Sequence, residues 1–131
     1  MAITANLTGT GVPPVTASQI IGTVNTGTSG AGTTHADAAL LPMQAIHDIE
    51  TAANNSGVIL PPGNGSGASM GPGDSMVIYN GDSNTLLLYP PSGGSLNSGT
   101  ATTGTVSIAT HTSVTAISID GSNFIVQGPS S

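Results

Sequence analysis

The chain of 131 residues contains no lysine, no arginine, no cysteine and no tryptophan. The first absence excludes the most. Six acidic residues leave a net charge of −6, and no carboxylate has a fixed cation in the chain to pair with. Binding to a phosphate backbone depends on releasing counterions through lysine and arginine, so nucleic acid is not an expected partner. An anionic membrane surface would repel the chain for the same reason. A phosphate loop completed by lysine, a Schiff base and an arginine clamp are likewise excluded, whatever the 19 glycines suggest. Without cysteine there are no disulfides or thiolate metal sites, and the redox compartment cannot be read. Aromatic residues make up 2% of the chain, two Tyr and one Phe, so the apolar material is Val, Ile, Leu and Ala, each burying less area than a ring. A thin core in a chain of single-domain length predicts stability that depends on association between subunits. No apolar run approaches the ~20 residues needed to span a bilayer. MAITANLTGTG has neither a basic region nor a continuous apolar stretch, so no signal peptide is expected.

What is present is strand-forming sequence broken by turns. From Asp74 to Gly99 the chain reads DSMVIYNGDSNTLLLYPPSGGSLNSG. Met76 to Tyr79 and Thr85 to Tyr89 are two runs of high strand preference, joined by Asn80-Gly81-Asp82-Ser83-Asn84 and ended by Pro90-Pro91, a pattern that predicts a β-hairpin. Neither run alternates between apolar and polar, so both faces of the pair want cover, one from the domain core and the other from a second sheet or subunit. That requirement marks Val77, Tyr79, Leu86, Leu88 and Tyr89 as candidate subunit-interface residues. Thr105 to Ala109 alternates as a half-buried strand. Val114 to Ile119, Asp120-Gly121-Ser122-Asn123 and Phe124 to Gln127 predict a second hairpin. Six or so short strands from Ala45 onward, with Gly, Pro and Asn turns between them, argue an all-β domain, a small sandwich or jelly roll.

The strand ending in Asn-Gly, the second strand closing on Tyr-Pro, and Ser-Gly-Gly-Ser-Leu-Asn-Ser-Gly before a further strand resemble a recurrent pattern in small bacteriophage virion proteins. These are head decoration, cement or head-fibre proteins. The similarity runs from about Thr34 to Gln127 and takes in Val58-Ile59-Leu60-Pro61 and Asn123-Phe124-Ile125-Val126. It departs at Phe124, where family members often carry Trp, and in lacking any Lys or Arg. The resemblance implies a non-enzymatic, homotrimeric capsid decoration protein, made in the host cytoplasm and placed on the capsid surface of the virion. Its implied partners are the major capsid protein and itself. The alternative is a receptor- or glycan-binding module of a fibre or spike, using the loops Pro61 to Gly73 and Pro90 to Thr103; the shortage of aromatic faces counts against it.

Residues 1–33 carry no charge and read as an extended arm and linker ahead of a β domain over 34–131. Two readings are open. Gly and Thr tracts favour a disordered tail, whereas Ile3, Leu7, Val15, Ile20, Ile21 and Val24 supply enough apolar, strand-forming content to bind a partner by backbone pairing and pocketed side chains. The stretch 38–53 is also ambiguous. Asp37 can cap a helix with Leu40, Met43, Ile46 and Ile49 on one face, against which Pro42 argues. As a strand, Ala45 to Thr51 puts His47 and Ile49 on one side and Ile46, Asp48 and Glu50 on the other, and the resemblance favours the strand.

No catalytic, cofactor-binding or metal-ligating set is expected. Gly73-Asp74-Ser75 and Gly81-Asp82-Ser83 are similar to the nucleophile block of Gly-Asp-Ser hydrolases, but each falls where a turn is needed and the chain has no room for that α/β scaffold. The metal candidates are His35, Asp37, His47, Asp48, Glu50 and His111; on a strand His47 faces away from Asp48 and Glu50, so that trio does not converge, and the remaining route to a metal is one residue repeated about a threefold axis. Asn80 to Asn84 offers oxygen ligands but lacks the paired carboxylates and bidentate Glu of a calcium loop. Mutual repulsion of unpaired carboxylates predicts that acidification from neutral toward the isoelectric point leaves stability unchanged or raised.

Overall fold

The computed structural model describes residues 23–51, 53–63 and 69–128, and every regular element within them is a β-strand. In chain order these are β1 (Val24–Asn25), β2 (Ser29–Gly30), β3 (Ala39–Leu40), β4 (Ile46–Thr51), β5 (Ser56–Ile59), β6 (Ser75–Asn80), β7 (Leu86–Tyr89), β8 (Ser95–Leu96), β9 (Val106–Ile108), β10 (Ser113–Ser118) and β11 (Asn123–Gln127). They form two sheets. The large one has the order β1-β4-β6-β10-β11-β8, with β2 also on β4, and the small one has the order β3-β5-β7-β9. Ile49, Met76, Ile78, Val114 and Phe124 from the large sheet and Val58, Leu86, Leu88 and Ile108 from the small one belong to a single buried cluster, so the core lies between the sheets.

From β2 to β7 the chain changes sheet at every strand. Successive visits to one sheet lie side by side and parallel: β2, β4 and β6 in the large sheet, β3, β5 and β7 in the small one. The chain therefore winds as a two-sheet coil, which β9 and β10 close by running antiparallel to β7 and β6. Of the nine strand pairings six are parallel. A jelly roll is built from antiparallel Greek keys, so the all-β expectation holds while that path through it does not.

The hairpin expected between β6 and β7 is absent, because the two strands sit in different sheets. A type I′ turn needs positive φ at both central residues, and Gly81 does not have it. Asn80 turns the chain instead. Fully buried, it donates from Nδ2 to the carbonyls of Asn84 (2.6 Å) and Ile108 (3.0 Å) and accepts the Asp82 amide on Oδ1 (3.2 Å). These bonds tie the corner to β9 on the opposite sheet. The corner before β5 stacks on it: Asn55 N–H donates to the Thr85 carbonyl (2.8 Å), and Thr85 N–H to Asn54 Oδ1 (3.0 Å). Neighbouring turns of the coil are thus bonded at their corners as well as along their strands.

The apolar run of β7 is covered by its own chain. Leu86 and Leu88 point into the core, while Leu87 and Tyr89 lie on the other side of the small sheet, in a second cluster with Ala38 and Ile59. The segment before β3 supplies that cover. Its Ala31 bridges Gly57, its Thr33 carbonyl accepts the Tyr89 hydroxyl (3.1 Å), and its His35 ring meets Tyr89 edge-on at 5.6 Å. For β6 the lack of alternation disappears on folding, with Met76, Ile78 and Asn80 buried and Val77 and Tyr79 half-buried on the outer face.

The segment 38–53 takes the strand reading, with His47 and Ile49 buried and Asp48 and Glu50 exposed on β4. The second hairpin also forms as expected. Strand β10 pairs antiparallel with β11, and Asp120 Oδ1 closes the turn by accepting the amides of Ser122 (2.9 Å) and Asn123 (2.8 Å). The boundary at residue 33 moves. Strands β1 and β2 already belong to the large sheet, parallel to β4, so residues from 23 onward are part of the domain rather than of an arm.

Candidate functional site

Of the residues expected to bind a partner, Ile3, Leu7, Val15, Ile20 and Ile21 lie outside the described residues. Val24 lies within them, at the edge of the large sheet and 54% exposed. The residues expected at a subunit interface divide. Leu86, Leu88 and Tyr89 are buried within one chain and offer a partner no surface. Val77 and Tyr79 face outward from the large sheet, beside residues not expected at a subunit interface. Val24, Ile46, Val77, Thr115 and Gln127 are register neighbours across five strands, and Ser75, Ile117 and Ile125 form the next row. Ile117 and Ile125 could have been found from alternation alone, since each stands between two inward residues of its strand.

The loops before β6 and after β7 meet. Pro62 and Ser69 on one side, Pro91 and Ser92 on the other, and Asp120, Gly121 and Ser122 at the end line a pocket of about 280 Å³. Asp120 is held ionised well into acid, because the Asn123 and Ser122 amides and the Asn123 side chain all donate to its carboxylate. The Ser122 carbonyl is taken by the Ser95 amide and the Gly121 amide by Ser118 Oγ, so much of the polar lining already serves the turn.

Both Gly-Asp-Ser sequences do turn chemistry. Asp74 Oδ2 accepts the Gly71 amide (2.9 Å), and Asp82 Oδ1 accepts the Ser83 amide (2.6 Å). The histidines stand apart. His35 is buried behind the small sheet with Nε2–H donating to the Pro90 carbonyl (3.0 Å), and His111 is exposed. Among the described residues no three His, Cys, Asp or Glu side chains gather as a metal set would.

His47 is the buried ionisable group of the core. Asn25 Nδ2 donates to its Nδ1 (3.0 Å), which places the ring proton on Nε2, and Nε2 finds no hydrogen-bond partner of normal geometry. Burial lowers its pKa to about 4, partly offset by the backbone of Gln44 and Pro42. This arrangement went unread in the sequence, where Asn25 belongs to a linker 22 residues away from His47. Comparison with protein-family models, curated proteins and solved structures found no match to this chain.

Proposed function

We propose that the protein is a non-enzymatic virion structural protein, a homotrimeric decoration or cement protein that adds to the outside of a phage head and stabilises the lattice. The observation that carries this reading is the way the chain enters its fold. An uncharged N-terminal sequence runs into the large sheet at its edge, where β1 and β2 pair with β4, and the apolar residues of 1–22 stand directly before that edge in the sequence. Such a segment suits backbone pairing with the major capsid protein. The outer face of the large sheet, with Val77 and Tyr79, is the surface assigned to the trimer. Binding of the full chain and of a chain lacking residues 1–22 to heads assembled without the protein tests the proposal. The truncation stops at 22 because later residues cover the small sheet. The shortened protein should fold and fail to add, and high salt should weaken docking of the full chain little. Normal addition of the truncated chain would sink the docking assignment.

A second reading, a receptor- or glycan-binding module of a fibre or spike, is favoured by one observation: the loops that would bind converge on the pocket at Pro62, Pro91 and Asp120. Glycan binding lost on Ser92→Trp, with head addition unaffected by removal of residues 1–22, would favour this reading over the first.

A further inference from the structure

Strand β1 is attached to the body of the fold by few groups. Its ladder with β4 has two register positions, Val24 with Ile46 and Asn25 with His47. Asn25 adds a side-chain bond to that ladder. Its Oδ1 accepts the Gly27 amide (3.1 Å), and its Nδ2 reaches both Thr28 Oγ1 (2.8 Å) and His47 Nδ1 (3.0 Å). The Gly27 amide fixes which way the Asn25 side chain points, since a flipped amide would set two donors against each other. The bond to His47 therefore requires a neutral imidazole with a free lone pair on Nδ1.

We propose that Asn25 and His47 form an acid-sensitive latch that holds residues 23–28 on the large sheet and lets them go when the imidazole takes up a proton, while β2 keeps its own pairing with β4. A proton on Nδ1 would face the Asn25 Nδ2 donor, and the Gln44 and Pro42 backbone beside the ring favours the charge without outweighing its burial. The charge would also stand in an apolar interior with no counter-ion. On β4 itself Asp48 and Glu50 point outward, and the register neighbours of His47 are Asn25 and Ile78, with Val114 beyond. The buried residues of β5, β7 and β9 on the core side are Ser56, Val58, Leu86, Leu88 and Ile108, none of them ionisable. Tyr79 is on the outer face, while His35 and Tyr89 meet on the far side of the small sheet. Water reaches His47 at least cost by lifting the β1 end of the edge, held at two register positions, because opening β4 from β6 would break a four-position ladder of the central sheet.

This device goes beyond the decoration reading and needs no head to operate. Failure of the latch would leave docking by residues 1–22 intact, and failure of docking would leave the latch intact. The test is hydrogen exchange by NMR on the full chain between pH 7 and pH 4.5, corrected for intrinsic rates. With His47 at about 4 when held and near ~6.5 when exposed, the released fraction of the 23–28 segment should rise roughly fifty-fold, while β10 and β11 amides keep their protection. His47→Gln should abolish that pH dependence. Asn25→Asp, which supplies a counter-ion, should shift release to lower pH and serves if the glutamine variant does not fold. Unchanged protection in the native chain, equal acid release in His47→Gln, or loss of β10 and β11 protection in step with 23–28 would each overturn the latch.

Discussion

The Tyr89 ring lies against Gly57 so closely that a Cβ on residue 57 would come within 2.6 Å of Tyr89 Cε2 and 3.0 Å of the Ala38 methyl. The glycine is there for approach, since its φ is not among the positive ones. It lets the 31–38 segment and Tyr89 close over β5, whose four residues are all buried. Gly57→Ala should cost about 1–3 kcal/mol, the usual penalty of overpacking. Urea denaturation measures it, and adding Tyr89→Leu should return part of the loss. An additive double variant would mean that the crowding is relieved elsewhere.

Acid should destabilise the protein, against the expectation from carboxylate repulsion. The folded pKa of His47 is lowered to about 4 from its ordinary value, so the unfolded chain binds the proton first as pH falls. Stability is therefore lost from about 6.5 downward, by about 2 kcal/mol at pH 5 and about 3 near pH 4, as upper figures. Asp120 acts in the same direction. Its depressed pKa gives stability that is present above the unfolded value and lost as pH falls through the folded one. Chemical denaturation at pH 7 and pH 5 checks this, and a chain equally stable at both would mean that relief of repulsion offsets the imidazole.

Asn80→Ala should be among the more damaging single changes away from the apolar core. It would leave the Ile108 and Asn84 carbonyls short of a donor in a buried corner, at a cost of about 1–3 kcal/mol for each group left unsatisfied. A denaturation midpoint within error of the parent would show that water or the Asp82 turn takes over those carbonyls.

Leu88→Ala and Val77→Glu should separate folding from assembly. Leu88 is fully buried between the sheets, so its truncation should cost about 2–5 kcal/mol at any protein concentration. Val77 faces outward, so a charge there should leave the fold intact and prevent the proposed trimer. Sedimentation of Val77→Glu decides it, and an unchanged oligomer would move the interface off this face. Dilution of the parent should also lower its melting temperature.

The amino-acid sequence by itself determined that the described chain is built from strands, where most of them fall, and which side of β4 is apolar. These follow from local rules: β-branched runs, turn residues between them and period-two alternation. The second hairpin was legible because Asp120 and Asn123 close their turn with groups carried within it. Asn-Gly at 80–81 misled for the opposite reason. The same dipeptide suits a hairpin or a corner, and the buried bond from Asn80 to the carbonyl of Ile108, 28 residues on, decides between them. Cover for β7 was correctly required and looked for in a second sheet or subunit, whereas the folded chain brings its own Thr33, His35 and Ala38 over Tyr89 and Ile59. The latch was invisible for the same cause. Nothing in a Thr, Ser and Gly linker marks Asn25, and it gains a role only when parallel pairing sets it opposite His47. Local preference fixes the strands; which sheet each one joins, and what covers it, depends on contacts between residues far apart in the chain, which tertiary structure alone supplies.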